Sequence, residues 1–405
     1  MKNNRGFIRG ALLGALTVLL IVGTVSCGVD LPGVRNIVRN AVKDEDSEDH
    51  TETVDSAAET KLELLEQLID SYYMGDKDKE ALTEGLYKGY IDGLGDPYSV
   101  YYDEEETEAL QESTSGEYSG VGAVLTQDAE TGMITILQVY PDSPAEEAGL
   151  EDNDILYRVN DEEVTGIDLT EVVSHIKGEE GTTVDITVLR GDAAEEITVT
   201  ATRRKIEAVT VSYEMKEGNI GYIRVTEFDS VTYEQYKAAL EELENQGMQG
   251  LVVDLRSNPG GNLDTVVDML DLMLPEGTVV SMEDKQGEET VYSSDEEHKF
   301  TKPLAVLMNG YSASASEIYA GAIQDYGAGE IVGTQSYGKG VVQQIFDLRD
   351  GTSVKLTIAE YFTPSGRSIN GEGVTPDVEI EYEPDENNPD YDNQLEKAIE
   401  VVQNK

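Results

Sequence analysis

The chain has 405 residues, which is enough for two or three domains and a sizeable core, so a peptide or a single small module is excluded. Lys and Arg number 29 against 82 Asp and Glu, a formal net charge of −53, so nucleic acid is not expected as a partner. Hydrophobic residues still make up 39% of the chain, so its body should fold and its acidity belongs to the surface and to linkers.

Cysteine and histidine are too scarce for several common kinds of active site. The single cysteine, Cys27, excludes a disulfide framework, a cysteine-based zinc site and a cysteine nucleophile in the body of the protein. The three histidines, His50, His175 and His298, lie far apart and show no metal-ligand spacing. A zinc hydrolase or a histidine-based triad would therefore be hard to build.

An uncharged stretch of 20 residues, positions 10–29, follows basic residues near the N-terminus. Its length can just span a bilayer, and the preceding positive charge favours an N-terminus inside and the rest of the chain outside the cytoplasm. The alternatives are a cleaved signal peptide and a lipoprotein signal acylated at Cys27, although Thr24 lies where that signal normally has a larger aliphatic residue. We predict a signal anchor over residues 1–30, and hence a single-pass protein of the cell membrane, or a secreted protein if the segment is cleaved.

The composition and the hydrophobic pattern of the sequence change at several points along the rest of the chain. Residues 43–59 are acidic, polar and nearly free of large apolar residues, which predicts a solvated linker over 31–59, and apolar residues at helical spacing then predict a helical region over 60–112. Residues 115–203 begin with a glycine-rich turn and continue as short alternating strands with two short helices, which predicts a compact β-rich module.

Strands alternate with helices over residues 204–380, and this order predicts a mostly parallel sheet with helices packed on it. Two apolar runs, at 251–255 and 304–308, are of the kind that is buried on both faces of such a sheet. The chain ends, over 381–405, in an acidic loop and a helix. The sequence thus predicts a mixed α/β protein of several domains.

Two polar turns follow the two buried strands, at the edge of the sheet where sites form. The first, at 254–261, is DLRSNPGG, and the second, at 309–317, is NGYSASASE and opens a helix. A serine at a helix N-terminus among small neighbours is sterically open, and the amides there can stabilise a developing oxyanion. The alternative is a helix-capping serine with Glu317 in the first turn, which needs no catalysis.

A serine nucleophile needs a base, and Lys339 in the turn between Gly338 and Gly340 is the candidate, because serine/lysine pairs are a known variant of the catalytic triad. Lys339 can act only when neutral, so burial would have to lower its pKa from about 10.4 against the surrounding acidity. Gln343, four residues further on, could orient the amine without adding charge. The alternative for Lys339 is a solvated lysine in a turn.

The motifs NGYSASASE at 309–317 and YGKGVVQ at 337–343 together resemble the signature of the carboxyl-terminal processing proteases, tail-specific serine peptidases of family S41. Further blocks resemble other parts of that family: DLRSNPGG at 254–261, SINGEGVTPD at 368–377 and, like the second half of a PDZ domain, residues 141–160. The resemblance implies a ClpP/crotonase-like α/β peptidase core with an inserted PDZ domain and an N-terminal helical region.

This resemblance implies a serine/lysine catalytic pair. Ser314, rather than Ser312 or Ser316, would be the nucleophile, Lys339 the general base and Gln343 the residue that orients the base. Neither a metal nor an organic cofactor would be required.

The resemblance also implies an oxyanion hole, formed by the Ala315 amide and one amide from Gly260 and Gly261, with the choice between the two glycines left open. Tyr311 stands where the family more often has a small residue, which concerns the shape of the entrance rather than the chemistry.

The β-rich module carries the features of a peptide-binding edge. Gly120, Val121 and Gly122 fall where PDZ domains present amides to the C-terminal carboxylate of a peptide, which would add as an extra strand beside Ala123 and Val124. A facing helix would line the groove with Leu169, Val172, Val173 and Ile176. Lys177 is a candidate second contact to the carboxylate, and the alternative for the whole segment is a glycine hairpin without a ligand.

The sequence therefore predicts an extracytoplasmic serine endopeptidase that binds C-terminal tails of protein substrates through its PDZ domain and cleaves them through an acyl-enzyme. The terminal helices could also form a homodimer interface. Two alternatives stay open: a non-catalytic scaffold that only binds tails, and a hydrolase of the same body fold that acts on a non-peptide ester.

Overall fold

The computed structural model describes residues 54–129, 131–191, 193–295, 299–385, 388 and 391–405. The predicted anchor at residues 10–29 lies outside the described residues, as do Cys27, His50 and His298. Within the described part of the chain no helix is long and apolar enough to cross a membrane. A spanning helix needs about 20 apolar residues, whereas the longest described helix has 17 and carries several charges. This finding contradicts the predicted single-pass localisation at the cell membrane, and that prediction is withdrawn.

The N-terminal region consists of helices and a short strand: α1 (Ser56–Tyr72), α2 (Lys79–Asp92), β1 (Val100–Tyr102) and α3 (Glu104–Ser115). Each of these helices is preceded by an aspartate whose side chain accepts a hydrogen bond from an amide of the first turn, and this fixes where the helix begins. The three aspartates are Asp55, Asp78 and Asp103. α1 and α2 leave large apolar side chains exposed, among them Leu65, Leu68 and Leu86. The homodimer with this region at its interface stays a prediction.

The β-rich module contains these elements: β2 (Glu117–Gly120), β3 (Ala123–Gln127), β4 (Ile134–Val139), α4 (Pro144–Ala148), β5 (Ile155–Val159), β6 (Glu162–Glu163), α5 (Leu169–Ile176), β7 (Thr183–Arg190), β8 (Glu195–Thr202) and β9 (Arg204–Glu207). Its antiparallel sheet has the order β3-β4-β5-β7-β8 with β6 beside β5, and it encloses a hydrophobic core of its own. β2 pairs with β9, so the chain enters and leaves the module side by side.

The remaining elements form the body: β10 (Val211–Lys216), β11 (Ile220–Val225), α6 (Thr232–Asn245), β12 (Gly250–Asp254), α7 (Leu263–Asp271), β13 (Gly277–Asp284), β14 (Glu289–Ser294), β15 (Leu304–Met308), α8 (Ala315–Asp325), β16 (Glu330–Gly333), β17 (Val341–Asp347), β18 (Ser353–Phe362), β19 (Val378–Glu379) and α9 (Asn393–Gln403). The central sheet has the order β10-β11-β12-β15-β16-β19, and its neighbouring strands are parallel except for β10 and β11.

β12 and β15 are buried along their whole length, because helices cover both faces of the central sheet. α6, α7 and α8 pack on one face, and α9 packs on the other. The mixed α/β class predicted from the sequence is confirmed. The domain boundaries drawn from the sequence stay predictions.

A second sheet has the order β1-β18-β13-β14, with β17 also paired to β18. Within it Val100 of β1 lies opposite Lys355 of β18, and Gln343 of β17 lies opposite Thr357. The N-terminal region is thereby attached to the same strand that lies beside the predicted catalytic glutamine.

Candidate active site

The turn between β15 and α8 places Ser314 in an unusual backbone conformation. Its φ of 56° and ψ of −115° lie outside the regions that a non-glycine residue normally adopts. The side chain is fully buried, and its Oγ has no hydrogen-bond partner among the described residues. An Oγ without a partner does not fit the alternative of a helix-capping serine.

The two neighbouring serines fasten this turn to the first polar turn. Ser312 Oγ donates a hydrogen bond to the Leu255 carbonyl at 2.8 Å, and Ser316 Oγ donates to the Asn258 carbonyl at 2.9 Å. The Ala313 amide donates to the same Asn258 carbonyl at 3.0 Å. Ser312 and Ser316 are thus occupied in holding the site together, which separates them from Ser314.

The buried carboxylate of Glu317 connects the serine turn to the lysine turn. It accepts hydrogen bonds from the amides of Ser314 at 2.8 Å, Gly338 at 2.7 Å and Lys339 at 2.9 Å, and from Ser336 Oγ at 2.5 Å. Burial raises the pKa of Glu317 and these hydrogen bonds oppose the rise. From the sequence, Glu317 was predicted only as a capping residue, because its position three residues after a serine is the only feature that distinguishes it there.

Tyr361 makes a second connection between the two turns. Its buried hydroxyl lies 3.1 Å from the Ser314 carbonyl and 2.5 Å from the Lys339 carbonyl, so one donor is shared between the two oxygens. The sequence analysis did not identify this residue, because it comes from β18 and nothing in its local pattern sets it apart.

Lys339 is buried, with 6% of its surface exposed. Burial, helped by the charge of Lys355, lowers the pKa of Lys339 to about 7, against the opposing effect of the carboxylates of Glu317 and Asp96. Its Nζ lies 4.9 Å from the centre of the Tyr98 ring. The condition stated from the sequence, that burial must outweigh the acidity of the chain, is met at this position.

The glycines beside Lys339 let the segment 368–373 pack against the turn. A Cβ on Gly340 would lie 2.4 Å from the Asn370 amide nitrogen, so a side chain there would collide with backbone. The Gly371 amide donates to the Gly338 carbonyl at 2.8 Å. The SINGEG sequence therefore supports the lysine turn from outside.

Gln343 lies in β17 and is completely buried. Its Nε2 donates to Thr357 Oγ1 at 3.3 Å, while its Oε1 has no partner among the residues that the structure describes. The hydrogen bond to Thr357 fixes the amide so that a neutral acceptor stays available in the interior.

Gly260 and Gly261 lie against the serine turn, both with positive φ, at 109° and 145°. A Cβ on Gly260 would lie 2.8 Å from Ser314 Cβ and 3.0 Å from the Ala315 nitrogen. The Gly260 amide already donates to Asn258 Oδ1 at 2.8 Å. In the described ranges neither the Gly261 amide nor the Ala315 amide has a hydrogen-bond acceptor, so these two are the donors available beside the serine.

The predicted peptide-binding segment lies at one edge of the β-rich module. The Val121 and Gly122 carbonyls accept hydrogen bonds from Ala145 and Tyr140, which fixes the segment that Gly120 begins. β3, with Ala123 and Val124, forms the edge of its sheet. On the facing helix α5, Val172 and Ile176 are buried in the core, while Leu169 and Val173 are half-buried.

Lys177, the proposed second contact to a peptide carboxylate, already has an internal partner. Its Nζ donates to Glu112 Oε2 at 2.6 Å and lies 5.1 Å from the centre of the Tyr118 ring. Tyr311, at the entrance, is 64% exposed.

Comparisons with known proteins agree with these features. Residues 219–380 match the family model of peptidase family S41, residues 135–190 match a PDZ domain, and residues 29–107 match the N-terminal domain of the activating protease CtpB. The carboxy-terminal processing protease CtpA of Bacillus subtilis is 35% identical over 340 residues, which cover 84% of this chain and 71% of that protein.

A probable CtpA-like serine protease of Staphylococcus epidermidis is 36% identical over 323 residues, 79% of this chain, and the chain spans 65% of the length of that relative. Among solved structures, a photosystem II D1 C-terminal processing protease has 32% identity over 79% of this chain and 86% of its own, with a TM-score of 0.47. A putative S41 protease from Bacteroides fragilis has a TM-score of 0.51 at 17% identity, over 78% of this chain and 90% of its own, and shares the fold. The chain therefore belongs to peptidase family S41, together with proteins named carboxy-terminal processing proteases.

Proposed function

We propose that the protein is a serine endopeptidase in which Ser314 is the nucleophile and Lys339 the general base. The observation that carries this proposal is the burial of Lys339, which lowers its pKa to about 7 beside a serine whose Oγ has no partner among the described residues. A general base works best when its pKa lies near the operating pH. An ordinary surface lysine would remain protonated and could not accept the serine proton.

The reaction would begin when the neutral Lys339 amine takes the proton of Ser314 Oγ as that oxygen bonds to the scissile carbonyl carbon. The negative charge of the tetrahedral intermediate would be stabilised by the amides of Ala315 and Gly261. The Lys339 ammonium would then give its proton to the leaving amine as the peptide bond breaks. A water molecule, deprotonated by Lys339, would release the acyl group from Ser314.

Gln343 would orient the amine of Lys339 through its Oε1. Its fixed hydrogen bond to Thr357 supports this role, since an amide oxygen accepts a hydrogen bond without adding the charge that would keep the lysine protonated. Glu317 would act on the backbone of both turns, and so hold nucleophile and base at a constant separation.

The substrate would be a protein engaged by its C-terminal tail. The tail would add as a strand beside β3, with its carboxylate at the amides of Val121 and Gly122. Lys177 could reach that carboxylate only by leaving Glu112. Tail binding would therefore change a contact between the PDZ module and α3, which gives this module a means of affecting the body.

The test uses the full chain with an unfolded protein substrate, offered with a free and with a blocked C-terminus. We expect the parent to cleave, the blocked tail to slow cleavage, and Ser314→Ala and Lys339→Ala to reduce the rate by at least about 10³-fold while remaining folded. A fluorophosphonate probe should label the parent at Ser314. Ser316→Ala is the matched control, because it removes a neighbouring serine hydroxyl and should keep the label.

Labelling at a serine other than Ser314, or cleavage that persists in Ser314→Ala, would contradict the proposal. A folded parent that binds tails but neither cleaves nor takes the label would favour the non-catalytic scaffold. Turnover of a simple ester without turnover of the protein substrate would favour the ester hydrolase.

A further inference from the structure

A second lysine, Lys355, is buried near the proposed base and has no role in the reaction as described. It lies on β18 with 4% of its surface exposed. Its ammonium lies 5.3 Å from the centre of the Tyr102 ring, and the carboxylate of Asp96 is the charge that acts on it among the described residues. Burial of a charge costs free energy, so the presence of a second lysine here calls for a physical explanation.

One face of β18 brings Lys355 to the catalytic pocket. Side chains two residues apart on a strand point to the same face, so Lys355 shares its face with Thr357 and, across the strand pair, with Gln343 of β17; the register shift between β17 and β18 then separates this face from Tyr361. Thr357 accepts the hydrogen bond of Gln343, and Tyr361 donates to the carbonyls of Ser314 and Lys339. Lys355 therefore lies in the same row of side chains as Thr357, which holds the amide of Gln343 in place.

The N-terminal region closes the pocket from the other side. Asp96 accepts hydrogen bonds from Ser99 Oγ at 2.6 Å and from the Tyr98 amide at 3.1 Å, and it also bonds the Thr357 side chain. The next residues enter β1, where Val100 lies opposite Lys355. Asp96 is close enough to both lysines to favour their charged forms.

The charges around the two amines determine which one loses its proton first. The titratable groups that face them are Asp96, Tyr98 and Tyr102 from the N-terminal region, Glu317 from α8, Tyr337 from the lysine turn and Tyr361 from β18. Burial lowers the pKa of Lys355 to about 8, whereas the pKa of Lys339 is lowered to about 7. The charge of Lys355 is one of the causes that lower the pKa of Lys339, so we expect Lys339 to be the amine that loses its proton first.

We propose that Lys355 is a positioning residue for the peptidase reaction: its buried ammonium repels a proton from the neighbouring Lys339 amine and so extends catalysis down to neutral pH. This inference rests on the proposed function of Lys339. Lys355 does not touch the reacting atoms and acts through the base alone. Asp96 has the opposite influence, because its carboxylate attracts a proton to both amines.

The kinetic test measures kcat/KM against pH for the parent, Lys355→Met and Lys355→Arg. Removal of the charge in Lys355→Met should shift the acidic limb of the pH profile, where kcat/KM rises with pH, to a higher pH by about one unit. At pH values below this limb kcat/KM should be about tenfold lower than in the parent, and the plateau at alkaline pH should be nearly unchanged. Lys355→Arg keeps the charge and should keep the limb in place. Asp96→Asn should move it downward, which provides a second variant of opposite sign if Lys355→Met does not fold.

Lys237→Met is the matched control, because Lys237 also lies over a tyrosine ring, 5.9 Å from the centre of Tyr233, but on the surface of α6. Its pH profile should be that of the parent. A limb that stays in place in a folded Lys355→Met variant, or a uniform loss of kcat/KM at every pH, would overturn the inference.

A second measurement does not depend on activity. In the Ser314→Ala background, NMR titration of ¹⁵N-labelled lysine side chains gives the pKa of the Lys339 amine, which should be higher when Lys355 is replaced by Met. An unchanged value would overturn the inference. If the value rises while the parent cleaves nothing, the coupling between the two lysines stands and the proposed peptidase function fails.

Discussion

The catalytic pocket of the body and the peptide edge of the PDZ module each contain a lysine with a proposed task, and the two lysines lie in opposite environments. Lys339 is 6% exposed and burial lowers its pKa to about 7, whereas Lys177 is half-buried and forms an ion pair with Glu112 at 2.6 Å. A general base has to lose its proton, while a contact to a carboxylate has to keep it. The depth at which each fold places its lysine decides which of the two tasks that lysine can perform.

The largest expected effect comes from a substitution in the catalytic pocket that leaves the PDZ module unchanged. Gly261→Ala should lower kcat about 10²- to 10³-fold, because its amide is the proposed oxyanion donor and a Cβ there would lie 2.4 Å from the Phe228 carbonyl oxygen. Affinity for a tail peptide, measured by fluorescence anisotropy, should not change. Gly287→Ala is the control: its φ of 78° is also positive, but nothing lies within 4 Å of the added Cβ.

If Gly261→Ala is folded and keeps kcat within about threefold of the parent, the oxyanion hole does not use this amide. Gly260, whose amide is bonded to Asn258, would then have to be reconsidered.

An intermediate effect concerns the cost of burying the base. Folded Lys339 is neutral above about pH 7, whereas the unfolded chain keeps this amine protonated up to about pH 10.4. Folding therefore releases a proton between these values, and the free energy of unfolding gains a component that rises with pH in this window. Lys339→Met should lack this component and should be more stable than the parent at pH 7, by about 1–3 kcal/mol.

Urea denaturation at pH 7 and pH 9 measures both quantities. Lys177→Met is the contrasting variant: loss of a partly exposed ion pair should lower the free energy of unfolding by at most about 1 kcal/mol. A parent and a Lys339→Met variant with equal pH dependence would show that Lys339 is protonated in the folded protein, and would remove the basis for its role as a base.

The smallest expected effect concerns the binding of a peptide tail by the PDZ module. Glu112→Gln should release Lys177 and strengthen binding of a tail peptide about two- to fivefold, since a partly exposed ion pair is worth about 1 kcal/mol or less. A C-terminally amidated peptide should show no gain. Glu108→Gln, an exposed neighbour on the same helix, serves as the control. Equal affinities for parent and Glu112→Gln would exclude Lys177 as a contact to the carboxylate.

The central sheet was predictable from local sequence, and so were the turns that carry Ser314 and Lys339. The unbroken apolar runs of β12 and β15 require cover on both faces, which only a parallel sheet between helices provides. The polar turns after such strands then come together at one edge. The choice of Ser314 over Ser312 and Ser316 needed the family resemblance, because all three serines fit the same local pattern.

The residues that complete the pocket were not predictable in this way. Tyr361, Lys355 and Asp96 reach the site from strands or turns remote in the sequence, and each looks locally like an ordinary strand or loop residue. The lowered pKa of Lys339 was likewise hidden, because the net charge of −53 argues for a protonated lysine and only the fold determines its burial.

The pairing of β1 with β18 has a consequence for biosynthesis. Ser99 Oγ accepts a hydrogen bond from the Thr357 amide, 258 positions away in the chain. The segment that covers the base is therefore among the first parts of the described chain to leave the ribosome, and its partner strand is among the last. The PDZ module can fold in between, since it has its own core, but the pocket around Lys339 closes only after β18 has been synthesised, so a chain that stops before this strand lacks a complete pocket.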